Sequence, residues 1–145
     1  MMPCFEPLLL AGWLLTQNLA GGPTTNLDAG VLEVQTCERG LGLDLKASSS
    51  GLYGLAAQYG LSTTSHGWTV TLTPKAGLAY VDHRVAEQDS RGNFEVGAQL
   101  LIGRDRWRIG VEYWHLSNAY LGQPNAGLDL VMVQLGWTWA DTGSH

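Results

Sequence analysis

His115 and Ser117 stand two residues apart in the run Trp107 to Ser117, and Asp129 lies at the start of the next apolar stretch. If both stretches are β-strands, His115 and Ser117 project from one face with Cα atoms roughly 6.5–7 Å apart, so a ring nitrogen reaches the hydroxyl. A carboxylate on an adjacent antiparallel strand can then hold the other ring nitrogen. A hydroxyl nucleophile, an imidazole base and an orienting acid together perform acyl transfer, and they are recognised by role rather than chain order. Asn118 follows the hydroxyl directly, and its side-chain amide is placed to donate to an oxyanion. Taken singly, each of these residues is ordinary. An outward His or Ser near a strand end is a common interfacial residue, and Asp129 alone is a loop-proximal charge. Jointly they weigh more, because an outward carboxylate beside hydrocarbon is costly unless paired.

The elements that would position these groups are strands. From Ala29 onward apolar residues recur at every second position, the strand period. Phe94, Val96, Ala98, Leu100 and Ile102 alternate with Glu95, Gly97 and Gln99; Leu41, Leu43 and Leu45 alternate with Gly42, Asp44 and Lys46. The pattern predicts eight strands, at about 30–37, 41–46, 52–62, 67–73, 75–84, 93–103, 106–117 and 128–140. Short turns are expected at Ser48-Ser49-Ser50, Thr73-Pro74-Lys75 and Gly103 to Arg106, and longer loops at Val85–Gly92 and Asn118–Gly127. The fold class is all-β, an eight-stranded antiparallel transmembrane β-barrel, with tight turns on the periplasmic side and long loops outside. Aromatic residues then sort into two belts: Tyr53, Trp107, Trp137 and Trp139 at the periplasmic rim, and Tyr59, Trp68, Tyr80, Phe94 and Tyr113 at the outer one.

Composition agrees with a membrane wall. Only 14% of the 145 residues are charged, against roughly 25% in a soluble domain. Eight basic residues and a net charge of -5 exclude the Lys/Arg stripe that nucleic-acid binding needs. A hydrophobic content of 45% excludes disorder. A soluble lipocalin-like barrel would carry its apolar stripe inside and a charged stripe outside. Here the polar stripe is mostly Gly, Thr, Ala and Gln, and its few charges (Glu33, Asp44, Lys46, Glu95, Arg108, Glu112) have both signs. A packed lumen in which charges pair suits them better than water.

Leu8 to Leu15 form an apolar run too short for a helical span, and the small residues after it, Ala20-Gly21-Gly22, suit a signal peptidase. Residues 1–20 are therefore expected to be a signal peptide, 29–140 the barrel and 141–145 a tail. Loss of the leader would remove Cys4 and leave Cys37 unpaired. Two cysteines cannot build a disulfide framework or a four-ligand zinc site.

The segment His115-Leu116-Ser117-Asn118-Ala119, continued by Pro124-Asn125-Ala126-Gly127-Leu128-Asp129, resembles the motif of the PagL-type lipid A 3-O-deacylases. That family is an eight-stranded outer-membrane barrel that hydrolyses the ester-linked acyl chain at the 3-position of lipid A. The resemblance implies Ser117 as nucleophile, His115 as base, Asp129 at the acidic position and Asn118 beside the oxyanion, with lipid A as substrate and no metal or other cofactor. It is compatible with a homodimer. Asp129 stands where the family usually has Glu, so its contact with the imidazole needs closely spaced strands or a water. Tyr120 replaces a common Gly, and Ala126 a frequent Asp. The competing expectation is a non-catalytic outer-membrane barrel with a structural or host-interaction role, since fold does not fix function.

Overall fold

The computed structural model describes residues 6–16, 29–82, 92–117 and 128–139. They form β1 (Leu8–Thr16), β2 (Ala29–Gln35), β3 (Gly40–Ser48), β4 (Leu52–Ser65), β5 (Trp68–Val81), β6 (Gly92–Arg104), β7 (Trp107–Ser117) and β8 (Leu128–Thr138). Each strand pairs antiparallel with the next, and β1 pairs with β8 to close the barrel. We call the end where β1 begins and β8 finishes proximal, and the opposite end distal.

Side-chain alternation divides every strand between wall and lumen. Leu41, Leu43, Leu45, Leu55, Leu72, Leu100, Ile102, Ile109, Val111, Val133 and Leu135 all face outward and are exposed. An apolar exterior of this extent has no place in water, so the soluble-barrel alternative is excluded and the wall is lipid-facing. The opposite parity fills the interior. At the distal end Leu14, Val31, Leu52, Val81, Trp114, Leu116, Leu130 and Met132 form an apolar plug; toward the proximal end lies a smaller group of Leu8, Leu10 and Leu101.

Between the two plugs lies a dry layer of charges and amides, as the mixed signs on the polar stripe predict. Lys75 Nζ bridges Glu33 and Glu112, the latter at 3.0 Å. Lys46 Nζ bridges Asp44 and Glu112 Oε1, the latter at 2.9 Å. Gln99 connects to Gln35 and to Gln134, each at 2.7 Å. Nearer the proximal end Arg108 grips Glu38 through two bonds of 2.6 and 2.8 Å. Buried charges are costly unless paired, and these ion pairs cross the barrel from strand to strand, though Asp44 Oδ1 and Glu95 Oε1 are left without a hydrogen-bond partner.

Two expected elements are corrected. The leader Leu8–Thr16 is β1: Leu8 pairs with Gln35 on β2 and with Thr138 on β8, and the ladders continue to Leu14↔Ala29 and Thr16↔Leu130. Its strand period was hidden because both faces are apolar, Leu8, Leu10 and Leu14 pointing inward and Trp13 and Leu15 outward. An apolar run without alternation carries no signature of either strand or helix. The barrel accordingly spans residues 8–138 rather than 29–140. Cys37, expected to be left unpaired, is buried and disulfide-bonded.

The expected strands 67–73 and 75–84 are one strand, β5, and Thr73-Pro74-Lys75 is not a turn. Pro74 pairs with Ala98 in the ladder to β6, whereas the ladder to β4 passes from Gln58↔Lys75 to Leu61↔Leu72 and skips the proline's partner. Pro removes one donor, but its φ suits a strand, so it interrupts one ladder without bending the chain away. The β4–β5 turn is His66-Gly67, both at positive φ (51° and 79°), the conformation of a tight hairpin turn and the reason for glycine there.

Counting β1 as a strand reverses the direction of the expected strands before residue 74. The turn after Ser48 therefore lies at the distal end, beside the long connections, and not with the proximal turns. The aromatic belts shift with it. Trp68 and Tyr59 belong to the proximal end with Trp107, Trp137 and Trp139, while Tyr53 lies distally against Tyr80, ring centroids 6.4 Å apart. Tyr80, Phe94 and Tyr113 hold their expected distal places.

Two predictions follow from closure and from the charged layer. Deleting residues 1–20 should leave two unpaired edges and abolish the folded, heat-modifiable band in unboiled gels; the mature protein should retain residues 8–16 by mass spectrometry. Lys75→Met should destabilise the barrel by about 3–5 kcal/mol in urea unfolding, because it strands a buried carboxylate.

Candidate active site

β7 and β8 carry the chemistry, and their register decides what meets. The ladder runs from Trp107↔Trp137 to Leu116↔Leu128, and it sets His115 directly opposite Asp129. Side chains directly opposite on one face have Cβ atoms roughly 4.5–5.5 Å apart, close enough for a short carboxylate to reach the ring. His115 Nδ1 lies 2.8 Å from Asp129 Oδ1. Of the two routes expected for the shorter Asp129, closely spaced strands or a water, the facing register gives direct contact.

Parity places these groups outside. Along β7 the odd residues Trp107, Ile109, Val111 and Tyr113 are exposed, the even residues Arg108, Glu112, Trp114 and Leu116 are buried, and His115 and Ser117 lie on the outer side, half-covered. Asp129 shares the outer parity of Val133 and Leu135 but is 8% exposed, because its neighbours cover it. Ser117 is the last residue of β7, opposite Phe94 of β6 and next on the outer face after His115. Val96 of β6 lies opposite His115. The imidazole is therefore flanked by Asp129 on one side and by an apolar wall on the other. Asn118, the expected oxyanion donor, lies outside the described residues.

The inner face of β7 fixes the outer one. Trp114, between Tyr113 and His115, is fully buried in the distal plug, and its indole N–H donates to Glu95. Lys46 Nζ lies 5.0 Å from the Trp114 ring centroid, a cation–π contact inside a dry lumen. Gly54 on the facing strand makes the room: a Cβ there would lie 2.7 Å from Glu95 Oε2 and 3.2 Å from Trp114 Cζ2. A strand nailed down by its inward residues cannot roll, so the outward residues keep fixed directions.

One participant escaped the sequence reading. Tyr113, expected only as a belt aromatic, donates its hydroxyl to Asp129 Oδ1. It lies diagonally across the ladder from Asp129, since Tyr113 pairs with Val131 and His115 with Asp129. The clue available was its parity: Tyr113 precedes His115 by one pleat on the same face, and a diagonal neighbour lies within reach of a long aromatic side chain.

A metal could be sought in the lumen, where carboxylate oxygens of Glu33, Asp44 and Glu112 lie within 4.8 Å of one another. Lys46 and Lys75 already bridge all three carboxylates, so it is a structural charge cluster.

Comparison with known proteins gives a consistent picture. The sequence model of the family described as lipid A 3-O-deacylase (PagL) matches residues 20–138. No curated protein sequence matches the chain. The fold is similar to the crystal structure of the outer membrane enzyme PagL, with a TM-score of 0.66 and 16% identity over 90% of this chain and 98% of that one. It is also similar to the Yersinia pestis outer membrane protein Ail, with a TM-score of 0.55 and 14% identity over 92% of this chain and 99% of that one.

Proposed function

The chain belongs to the lipid A 3-O-deacylase (PagL) family, and on that premise we propose that it hydrolyses the ester-linked acyl chain at the 3-position of lipid A in the outer leaflet, with Ser117 as nucleophile. The observation that carries this reading is the His115–Asp129 pair of 2.8 Å on the lipid-facing wall, with Ser117 next on the same face. A carboxylate–imidazole pair has little reason to stand on an apolar exterior unless it acts on something that arrives through the membrane.

The mechanism follows from the atoms engaged. With Nδ1–H donating to Asp129, the neutral ring presents Nε2 as a bare lone pair on the side away from the acid. Nε2 takes the proton of Ser117 as Oγ attacks the ester carbonyl, and the carbonyl oxygen becomes an oxyanion beside Asn118. Collapse of the tetrahedral adduct breaks the bond to the sugar oxygen, which leaves with the proton from His115. Water, deprotonated by the same imidazole, then attacks the acyl-serine and releases a fatty acid and free Ser117. Asp129 stays ionised throughout and balances the imidazolium formed in each half-reaction. The substrate reaches the site by lateral diffusion, because its acyl chains already lie at the depth of Phe94, Val96 and Val133.

Ser117→Ala and His115→Asn should each abolish deacylation, by at least about a thousandfold, while leaving the folded band in unboiled gels; mass spectrometry of lipid A from cells expressing each variant checks this. Unchanged lipid A in cells expressing the parent chain would instead favour a non-catalytic barrel.

A further inference from the structure

Asp129 Oδ1 receives two donors at once. One is the ring of His115, with Nδ1 at 2.8 Å; the other is the Tyr113 hydroxyl. A tyrosine on the exterior of a barrel ordinarily turns its hydroxyl toward the headgroups and water, keeping only its ring in the apolar band. Tyr113 instead spends that hydroxyl on a neighbouring strand. Asp129 is the second residue of β8, at the strand's first turn of pleat, where the ladder has only just begun to constrain the chain. Its side chain is short, and a single hydrogen bond to a ring leaves the carboxylate free to rotate about the Cα–Cβ and Cβ–Cγ bonds. A second donor, approaching diagonally from β7, removes that freedom.

We propose that Tyr113 is a positioning residue for the deacylation reaction: its hydroxyl locks the Asp129 carboxylate against His115, so that the imidazole keeps the orientation and tautomer in which Nε2 faces Ser117. The proposal rests on the serine–histidine reading above. Tyr113 and His115 are one pleat apart on β7, so the tyrosine and the ring it supports move as one body. Asp129 is then held by two groups of the opposing strand, and the alignment of the base no longer depends on the flexibility of β8 near its first residue. The tyrosine touches no reacting atom. Its effect must therefore appear in the rate of the chemical step and not in substrate capture.

The test is a double-mutant cycle on the full-length chain in detergent micelles, with purified lipid A as substrate and released fatty acid as readout. Tyr113→Phe should lower kcat roughly tenfold, the scale of one hydrogen bond to a charged group, with KM within about twofold of the parent. In an Asp129→Glu background the acid is one methylene longer and bends to the ring without help. Tyr113→Phe should there cost less than about twofold, a non-additivity that a general loss of packing would not produce. Tyr113→Phe with unchanged kcat, a loss confined to KM, or an equal loss in both backgrounds would each overturn the role. Ser117→Ala in parallel separates this from the parent reading: if that variant is dead while Tyr113→Phe is fully active, only the tyrosine's role fails. If Ser117→Ala retains activity, both readings fall.

Discussion

Hydrocarbon offers no partner to a backbone N–H or C=O, and every other property of this chain follows from meeting that constraint. A sheet in lipid survives only if it has no edge. The β1–β8 ladder removes the last one, pairing Leu8 with Thr138 and Thr16 with Leu130. Closure then forces each residue either into the wall's outer skin or into the buried lumen, and the sequence must supply side chains for both. The outer skin is leucine, valine and aromatic; the interior is sealed at each end by apolar groups, with its charges paired in between.

The same alternation turns a wall into a site. Register sets His115 opposite Asp129, parity turns both outward with Ser117, and Trp114 holds the strand from behind. A slip of one residue between β7 and β8 would send the carboxylate into the lumen and leave the imidazole alone in lipid. Chemistry and folding are therefore guarded by one set of backbone hydrogen bonds, which is why a reactive cluster can stand on the barrel's outer wall.

Much of this was legible in residue order, and the exceptions have physical causes. Strand period identified β2, β3, β4, β6, β7 and β8, the outward parity of His115, Ser117 and Asp129, and the inward parity of Glu33, Lys46 and Glu112, because those strands are apolar on one face only. The strand character of β1 was hidden because Leu8 and Leu10 pack in one interior cluster and Leu14 in the other, while Trp13 and Leu15 face outward, so the two faces look alike. β5 was split because proline usually ends a strand, whereas here the lost donor falls in a gap of one ladder only. Missing β1 then inverted the assignment of Tyr53, Tyr59 and Trp68 to the two rims. The distance at which Asp129 meets the ring, and the turn of the Tyr113 hydroxyl, depend on facing register and on side-chain direction, neither of which periodicity encodes.

The filled interior has one more consequence. With leucine clusters around a crosslinked layer of ammonium, carboxylate and amide groups, the described inward residues pack the interior rather than line an open channel. A cell can place many copies in its outer permeability barrier without making it leak. The lining must stay packed and paired, while the lipid-facing skin carries whatever the envelope asks of it.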